Sequence, residues 1–100
     1  MPLAFTRAEV DHARTQPSPA RALCASFCAK EALFKALRAP YNFTDCELLL
    51  GADDRAEFHL APALCTEHGI GAATVEIRDV PEADGVVMAV VVLFVSPAAR

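Results

Sequence analysis

The sequence has little charge and no surplus of positive charge. Of its 100 residues 22% are charged, and 13 Asp and Glu outnumber 9 Lys and Arg, which gives a formal net charge of −4. Nonspecific binding to nucleic acid requires a positive surface or a dense basic stripe, so we exclude a general nucleic-acid-binding protein. Any phosphate site must therefore be local.

Signals for secretion and membrane insertion are also lacking. The N-terminal segment MPLAFTRAEVDHAR has no basic stretch followed by an apolar run, unlike a secretory signal. The longest apolar run, Val86 to Val95, is about half as long as a membrane-spanning helix. We therefore expect a soluble, cytoplasmic protein with no membrane partner.

Cysteine motifs for metal binding are missing as well. The four cysteines, at positions 24, 28, 46 and 65, form no CxxC pair and no Cys/His cluster at zinc spacing. Cys24 and Cys28 lie one helical turn apart, side by side rather than across a loop. We expect reduced, partly buried thiols.

The abundant residues are apolar, at 54% of the chain, which is typical of a packed globule. A chain of 100 residues predicts a single domain over 1–100. So small a domain cannot bury all of this apolar surface by itself. We expect some of it to lie in a contact with another subunit or domain.

Capping signals predict three helices. The T-x-x-E sequence at 6–9 predicts a capping box at the start of a short helix over about 7–14. Ser18-Pro19 supplies an N-cap and a first-turn proline for a long helix, which Pro40 stops. A third short helix is predicted over 62–68, closed by a glycine.

The remaining segments predict strands. CELLL and EFHL flank a polar turn over 51–55, which predicts a hairpin. ATVEIRDV alternates and VVMAVVVLFV is a continuous apolar run rich in β-branched valine, so both predict strands, joined by a turn over 82–85. We expect the last strand to be central and buried on both faces. The order predicts an α+β fold, with a mostly antiparallel sheet packed against one long helix.

One face of the long helix is apolar except for a lysine. On a 3.6-residue wheel this stripe consists of Leu23, Phe27, Lys30, Phe34 and Leu37. Two interpretations of Lys30 stay open: its stem covers apolar neighbours while the ammonium reaches water, or it serves a site. Glu31 and Lys35 are equally open, because i,i+4 spacing also produces an ordinary helix-stabilising pair worth roughly 0.3 kcal/mol.

A longer string on this helix resembles a family signature. FCAKEALFKAL at 27–37 resembles the aromatic, two spacers, Lys-Glu-Ala, two spacers, Lys-Ala-Leu pattern of phosphopantetheinyl transferases. FTRAE at 5–9 is similar to the FTxxE that opens the first helix in the holo-acyl-carrier-protein synthase branch. EHGI at 67–70 and the valine-rich last strand are also similar to that branch. The resemblance covers nearly the whole chain.

The resemblance implies transfer of 4'-phosphopantetheine from coenzyme A to a serine of an acyl or peptidyl carrier protein. Attack of the serine on a phosphoanhydride requires a divalent ion and cations around the pyrophosphate. The resemblance assigns the magnesium to Glu31, contacts with coenzyme A phosphates to Lys30 and Lys35, and catalytic roles to Glu31 and Lys35. The serine proton goes to a metal-bound hydroxide or to a carboxylate such as Glu31.

Two departures from the family pattern bear on this site. The branch begins with a strand carrying Gly-x-Asp, whose aspartate is a second metal ligand, and the resemblance here starts after that point. We therefore expect a chain shortened at its N-terminus that lacks this ligand. Where the family has a strand closing in Ser-His, this chain has VEIRD at 75–79. Arg78 is a candidate to replace the histidine's contact with coenzyme A, and an ordinary exposed strand arginine is the alternative.

Two other functions stay open. A degenerate family member that binds carrier protein or a synthase without catalysing transfer is the main alternative to an enzyme. A small α+β oligomer whose Lys-Glu-Ala helix matches by chance is the other. Small family members place their sites between subunits, so the resemblance also implies a homo-oligomer, with a trimer favoured.

Overall fold

The structure, a computed structural model, describes residues 4–51, 55–80 and 86–95. Within these ranges the chain is α+β, with three helices and two small antiparallel sheets. The elements are α1 (Arg7–Ala13), α2 (Pro19–Leu37), a 3-10 turn (Phe43–Asp45), β1 (Cys46–Leu50), β2 (Ala56–Leu60), α3 (Pro62–His68), β3 (Ile70–Asp79) and β4 (Val87–Val95). The turn expected over 82–85 and part of the hairpin turn, 52–54, lie outside the described residues. No described helix has both the length and the apolar character needed to cross a membrane.

The starts of α1 and α2 are confirmed, and each depends on a local hydrogen bond to a capping side chain. Helix α3 also begins at Pro62 as expected, without a side-chain cap. The Thr6 hydroxyl accepts from the Glu9 amide at 3.2 Å, and the Glu9 carboxylate accepts from the Thr6 amide at 2.9 Å, which completes the capping box of α1. The Ser18 hydroxyl accepts from the Arg21 amide at 3.2 Å at the start of α2. Gly69, with φ of 66°, ends α3 as expected.

The strands pair as two antiparallel ribbons. β1 pairs with β2 with Leu48 opposite Phe58, which confirms the hairpin, and β3 pairs with β4 with Ile77 opposite Ala89. The sequence predicted one sheet. In the described residues the two ribbons are separate two-stranded sheets.

Helix α2 joins the two ribbons through a shared core. Its buried residues Ala25 and Ala29 pack with Leu48, Leu50, Ile77 and Val87, which come from β1, β3 and β4. Alanine lets the helix lie close to both ribbons. A second cluster contains Leu33, Cys46 and Leu64 and holds the end of α2 against β1 and α3. The position of α2 is therefore fixed along most of its length.

The prediction that β4 is buried on both faces is wrong. The side chains of Met88, Val90, Val92 and Phe94 are 43–54% exposed and alternate with residues that are buried or partly buried. Helix α2 covers the other face, and a continuous apolar run does not reveal that one face has no covering layer. We call the exposed face of the β3–β4 ribbon the outer face. It also contains Ala72, Thr74, Glu76 and Arg78.

Candidate functional site

Glu31 and Lys35 lie one turn apart on α2, away from the core residues of that helix. Glu31 is half-buried and Lys35 is exposed in the last turn. Phe27 and Phe34 on the same helix are 41% and 40% exposed, so apolar rings lie beside the two charged groups. This surface presents one carboxylate and one ammonium to solvent at i,i+4 spacing.

Lys30, the residue before Glu31, points into the core and is completely buried. Its ammonium donates to the Glu9 carboxylate at 2.6 Å, to the Ala4 carbonyl at 2.8 Å and to the Phe43 carbonyl at 2.7 Å. An ammonium has three protons, and all three are used here. Of the two interpretations of Lys30, the one in which its ammonium reaches water is therefore wrong.

Glu9 is the counterpart of Lys30 and is 2% exposed. One oxygen of its carboxylate accepts from Lys30 and from the Thr6 amide. The other accepts from the Ser26 hydroxyl and, at 2.9 Å, from the Leu48 amide. Among the described residues no buried side-chain nitrogen or oxygen lacks a partner. Sequence reasoning recognised Glu9 only as a helix cap, because its partners are distant in the chain.

Tyr41 and Cys46 border this buried pair. The Tyr41 hydroxyl donates to the Lys30 carbonyl at 2.8 Å. Burial, and to a smaller degree the neighbouring Cys46, raises the pKa of Tyr41. Burial raises the pKa of Cys46 to about 12, although the charge of Lys30 opposes the shift. Both groups are therefore protonated at neutral pH. All four cysteines of the chain are free.

Arg78 lies on the outer face, and its guanidinium donates to Glu76 at 2.8 Å. Helix α2 packs on the opposite face of that ribbon. The neighbouring Asp79 binds Arg21 in the first turn of α2 at 3.0 Å. Lys35 lies fourteen residues after Arg21 on α2, which is about 21 Å along the helix axis at a rise of 1.5 Å per residue. A single chain therefore does not bring Arg78 and Lys35 together.

Glu31 is the carboxylate that the family signature assigns to magnesium. The described ranges contain no group of three His, Cys, Asp or Glu side chains able to hold a metal ion. Magnesium commonly binds one or two carboxylates together with substrate phosphates and water. The carboxylate oxygens and the partial exposure of Glu31 fit the part of such a site that the protein would supply.

A cleft of about 420 Å³ lies just beyond the end of α2. It is lined by Pro40, Tyr41, Asn42, Asp45, Ala63, Leu64 and Glu67. These residues come from the segment after α2 and from α3, which the second core cluster holds together. Sequence analysis did not identify this cleft, because its walls are distant in the chain.

Comparison with known families agrees with the signature on α2. A family model described as the 4'-phosphopantetheinyl transferase superfamily matches residues 1–91. The matched region includes all three helices and ends within β4. No curated protein matches the chain.

Proposed function

Because the chain belongs to the 4'-phosphopantetheinyl transferase superfamily, we propose that it transfers the 4'-phosphopantetheine arm of coenzyme A to a carrier-protein serine. The supporting observation is the outward placement of Glu31 and Lys35 on α2 within the matched region. A match over 91 residues also excludes a chance occurrence of the Lys-Glu-Ala string.

The reaction forms a phosphate ester and breaks a phosphoanhydride. The serine oxygen attacks the phosphorus next to the pantetheine arm, and 3',5'-ADP leaves with the electrons of the broken bond. Lys35 supplies a positive charge to the pyrophosphate, where negative charge increases in the transition state. Glu31 would hold magnesium, which adds further positive charge there when bound. Its carboxylate is also a candidate to accept the serine proton.

Within this superfamily we propose the holo-acyl-carrier-protein synthase type. Its FTxxE segment corresponds to Phe5–Glu9, where Thr6 and Glu9 form a complete capping box. Helix α3 ends in Gly69 followed by Ile70, which matches another feature of that branch. The carrier is proposed to be an acyl or peptidyl carrier protein.

We also propose that copies of this chain associate through the outer face, with a trimer as the favoured assembly. Four large apolar side chains in one row on β4 are more than isolated exposed residues, and such patches mark interaction sites. Arg78 lies on the same face. Association there would place the Arg78 of one copy near another copy, where it would be available to a coenzyme A phosphate.

A non-catalytic carrier-binding module is the second candidate. It is favoured by the small number of charged groups that one chain brings together. Of the residues assigned to the site, Lys30 is used internally and Arg78 lies on the far side of a ribbon. Glu31 and Lys35 alone remain on the shared surface.

Intact mass measurement tests the two candidates. The protein is incubated with coenzyme A, magnesium and several apo carrier proteins, and each carrier is weighed for addition of phosphopantetheine. We expect addition to at least one carrier, and loss of addition in Glu31→Gln. The matched control is Glu57→Gln, an exposed glutamate on β2. Carrier binding without any mass increase would favour the non-catalytic module.

A further inference from the structure

We propose that Glu9 is a positioning residue for the site on α2 and acts through Lys30. The first lysine of the family string is then an internal anchor and not a contact with coenzyme A. This inference rests on the proposed function, because it concerns the orientation of Glu31 and Lys35.

The hydrogen bonds of the pair connect five segments of the chain. Glu9 binds α2 through Ser26 and Lys30, and binds β1 through the Leu48 amide. Lys30 binds the segment before α1 through the Ala4 carbonyl and the 3-10 turn through the Phe43 carbonyl. The two charges therefore lie where α1, α2, β1 and the turn before β1 meet.

This arrangement sets the rotation of α2 about its axis. Ser26 and Lys30 are one turn apart and both bind the same carboxylate, so the helix must present this face to Glu9. Glu31 follows Lys30 by one residue, which is a rotation of about 100°. With Lys30 fixed inward, Glu31 and Lys35 are held on the outward surface.

A phosphate has no access to Lys30 in this arrangement. Its side chain is 0% exposed, and the Phe5 ring centroid lies 5.7 Å from the ammonium. The Phe5 ring in turn packs beside Phe27, with 6.5 Å between centroids. A phosphate contact would require the ammonium to leave at least one of its three acceptors. Lys35 has no such restriction and is exposed.

Two properties of coenzyme A binding separate an anchor from a contact. A lysine that contacts phosphate contributes to the salt dependence of affinity, because charge attraction is screened by ions. An anchor changes affinity by misplacing other groups and leaves the salt dependence unchanged. Calorimetric titration of coenzyme A at low and high salt therefore tests the proposal. The variants are Glu9→Gln, Lys30→Met, their double variant and the matched exposed variant Lys35→Met.

We expect Glu9→Gln and Lys30→Met each to weaken affinity by on the order of tenfold, as for a loss of positioning. The double variant should bind no more weakly than either single variant, because the residues act as one unit. The single variants Glu9→Gln and Lys30→Met should keep the wild-type salt dependence of coenzyme A affinity, whereas Lys35→Met should reduce it. If Lys30→Met fails to fold, Ser26→Ala removes one hydrogen bond to Glu9 without removing a charge and should weaken affinity in the same direction.

Two results would overturn the proposal. Loss of affinity and of salt dependence in Lys30→Met, with Glu9→Gln unchanged, would make Lys30 a phosphate contact. Unchanged affinity for coenzyme A in every folded variant of the pair would show that the hydrogen bonds of Glu9 and Lys30 contribute only to stability. If wild type itself does not bind coenzyme A, the proposed function fails, and amide NMR shifts then decide the positioning. The proposal is supported if both single variants change the amide shifts of Glu31 and Lys35 in the same way. It is contradicted if only the hydrogen-bond partners of Glu9 and Lys30 change their amide shifts.

Discussion

The ammonium nitrogen of Lys30 lies 2.6 Å from a carboxylate oxygen of Glu9, and the two side chains are 0% and 1% exposed. The residues belong to different helices and are 21 positions apart in sequence. Charges removed from water are tolerated when they are paired and hydrogen-bonded, which holds for every proton of this ammonium. The pair therefore restricts how α1 and α2 pack together.

Removal of Lys30 should strongly destabilise the fold. Lys30→Met leaves the Glu9 carboxylate buried without its cation, and breaking a buried pair in this way costs about 3–5 kcal/mol. Urea unfolding of wild type and variant measures the loss. Lys35→Met, an exposed position on the same helix, should stay within about 0.5 kcal/mol of wild type. Equal stability of both variants would show that Lys30 is not held as described.

Replacement of Arg38 by glycine should stabilise the protein. Arg38 follows α2 with φ of 57°, a left-handed conformation that glycine adopts without steric cost. We expect Arg38→Gly to raise the free energy of unfolding by about 1 kcal/mol, the cost of a left-handed conformation for a residue with a Cβ atom. Arg14 has the same role after α1 but φ of −63°, so Arg14→Gly is the matched control and should not stabilise. Thermal unfolding of both variants checks this difference.

A charge on the outer face should disrupt self-association. Val92 is 45% exposed in the row of apolar residues on β4. Val92→Glu should shift sedimentation equilibrium from an oligomer to a monomer, because a buried unpaired carboxylate is unfavourable. Thr66→Glu, at an exposed position on α3, should leave the oligomer intact. A monomeric wild type at tens of micromolar would contradict the proposed assembly.

Magnesium should bind weakly unless coenzyme A is present. Glu31 is the one carboxylate that the signature assigns to the ion, and magnesium loses its water reluctantly. Calorimetric titration with and without coenzyme A should show metal affinity only in the presence of the pyrophosphate. Glu31→Gln should abolish this coupling while leaving the fold intact. Tight binding of magnesium to the nucleotide-free protein would place the metal site elsewhere.

Stability should fall at high pH because of Cys46. Burial raises the pKa of its thiol from 9.0 to about 12, so between these values the folded state holds a proton that the unfolded state releases. This contribution is fully present below pH 9 and is lost as pH rises towards 12. Cys46→Ala should show a smaller loss of unfolding free energy than wild type between pH 8 and pH 11. Equal pH dependence in the two proteins would contradict the shift.

The sequence by itself determined the features that depend on near neighbours in the chain. Thr6 and Ser18 fix helix starts because each cap bonds an amide three residues away. Apolar alternation and the polar segment at 51–55 determined the β1–β2 hairpin. The Lys-Glu-Ala string indicated the superfamily, since the signature consists of neighbouring residues on one helix.

Tertiary structure alone decided which charged side chains are buried in the core and which lie on the surface. The helical wheel left Lys30 open, and its burial depends on Glu9, whose partners lie far along the chain. Arg78 and the apolar row on β4 acquired their common face only when β3 paired with β4 and α2 covered the opposite side. Spacing gives the direction of a side chain relative to its own element. The neighbours it meets there come from distant segments, so only the packed fold determines its role.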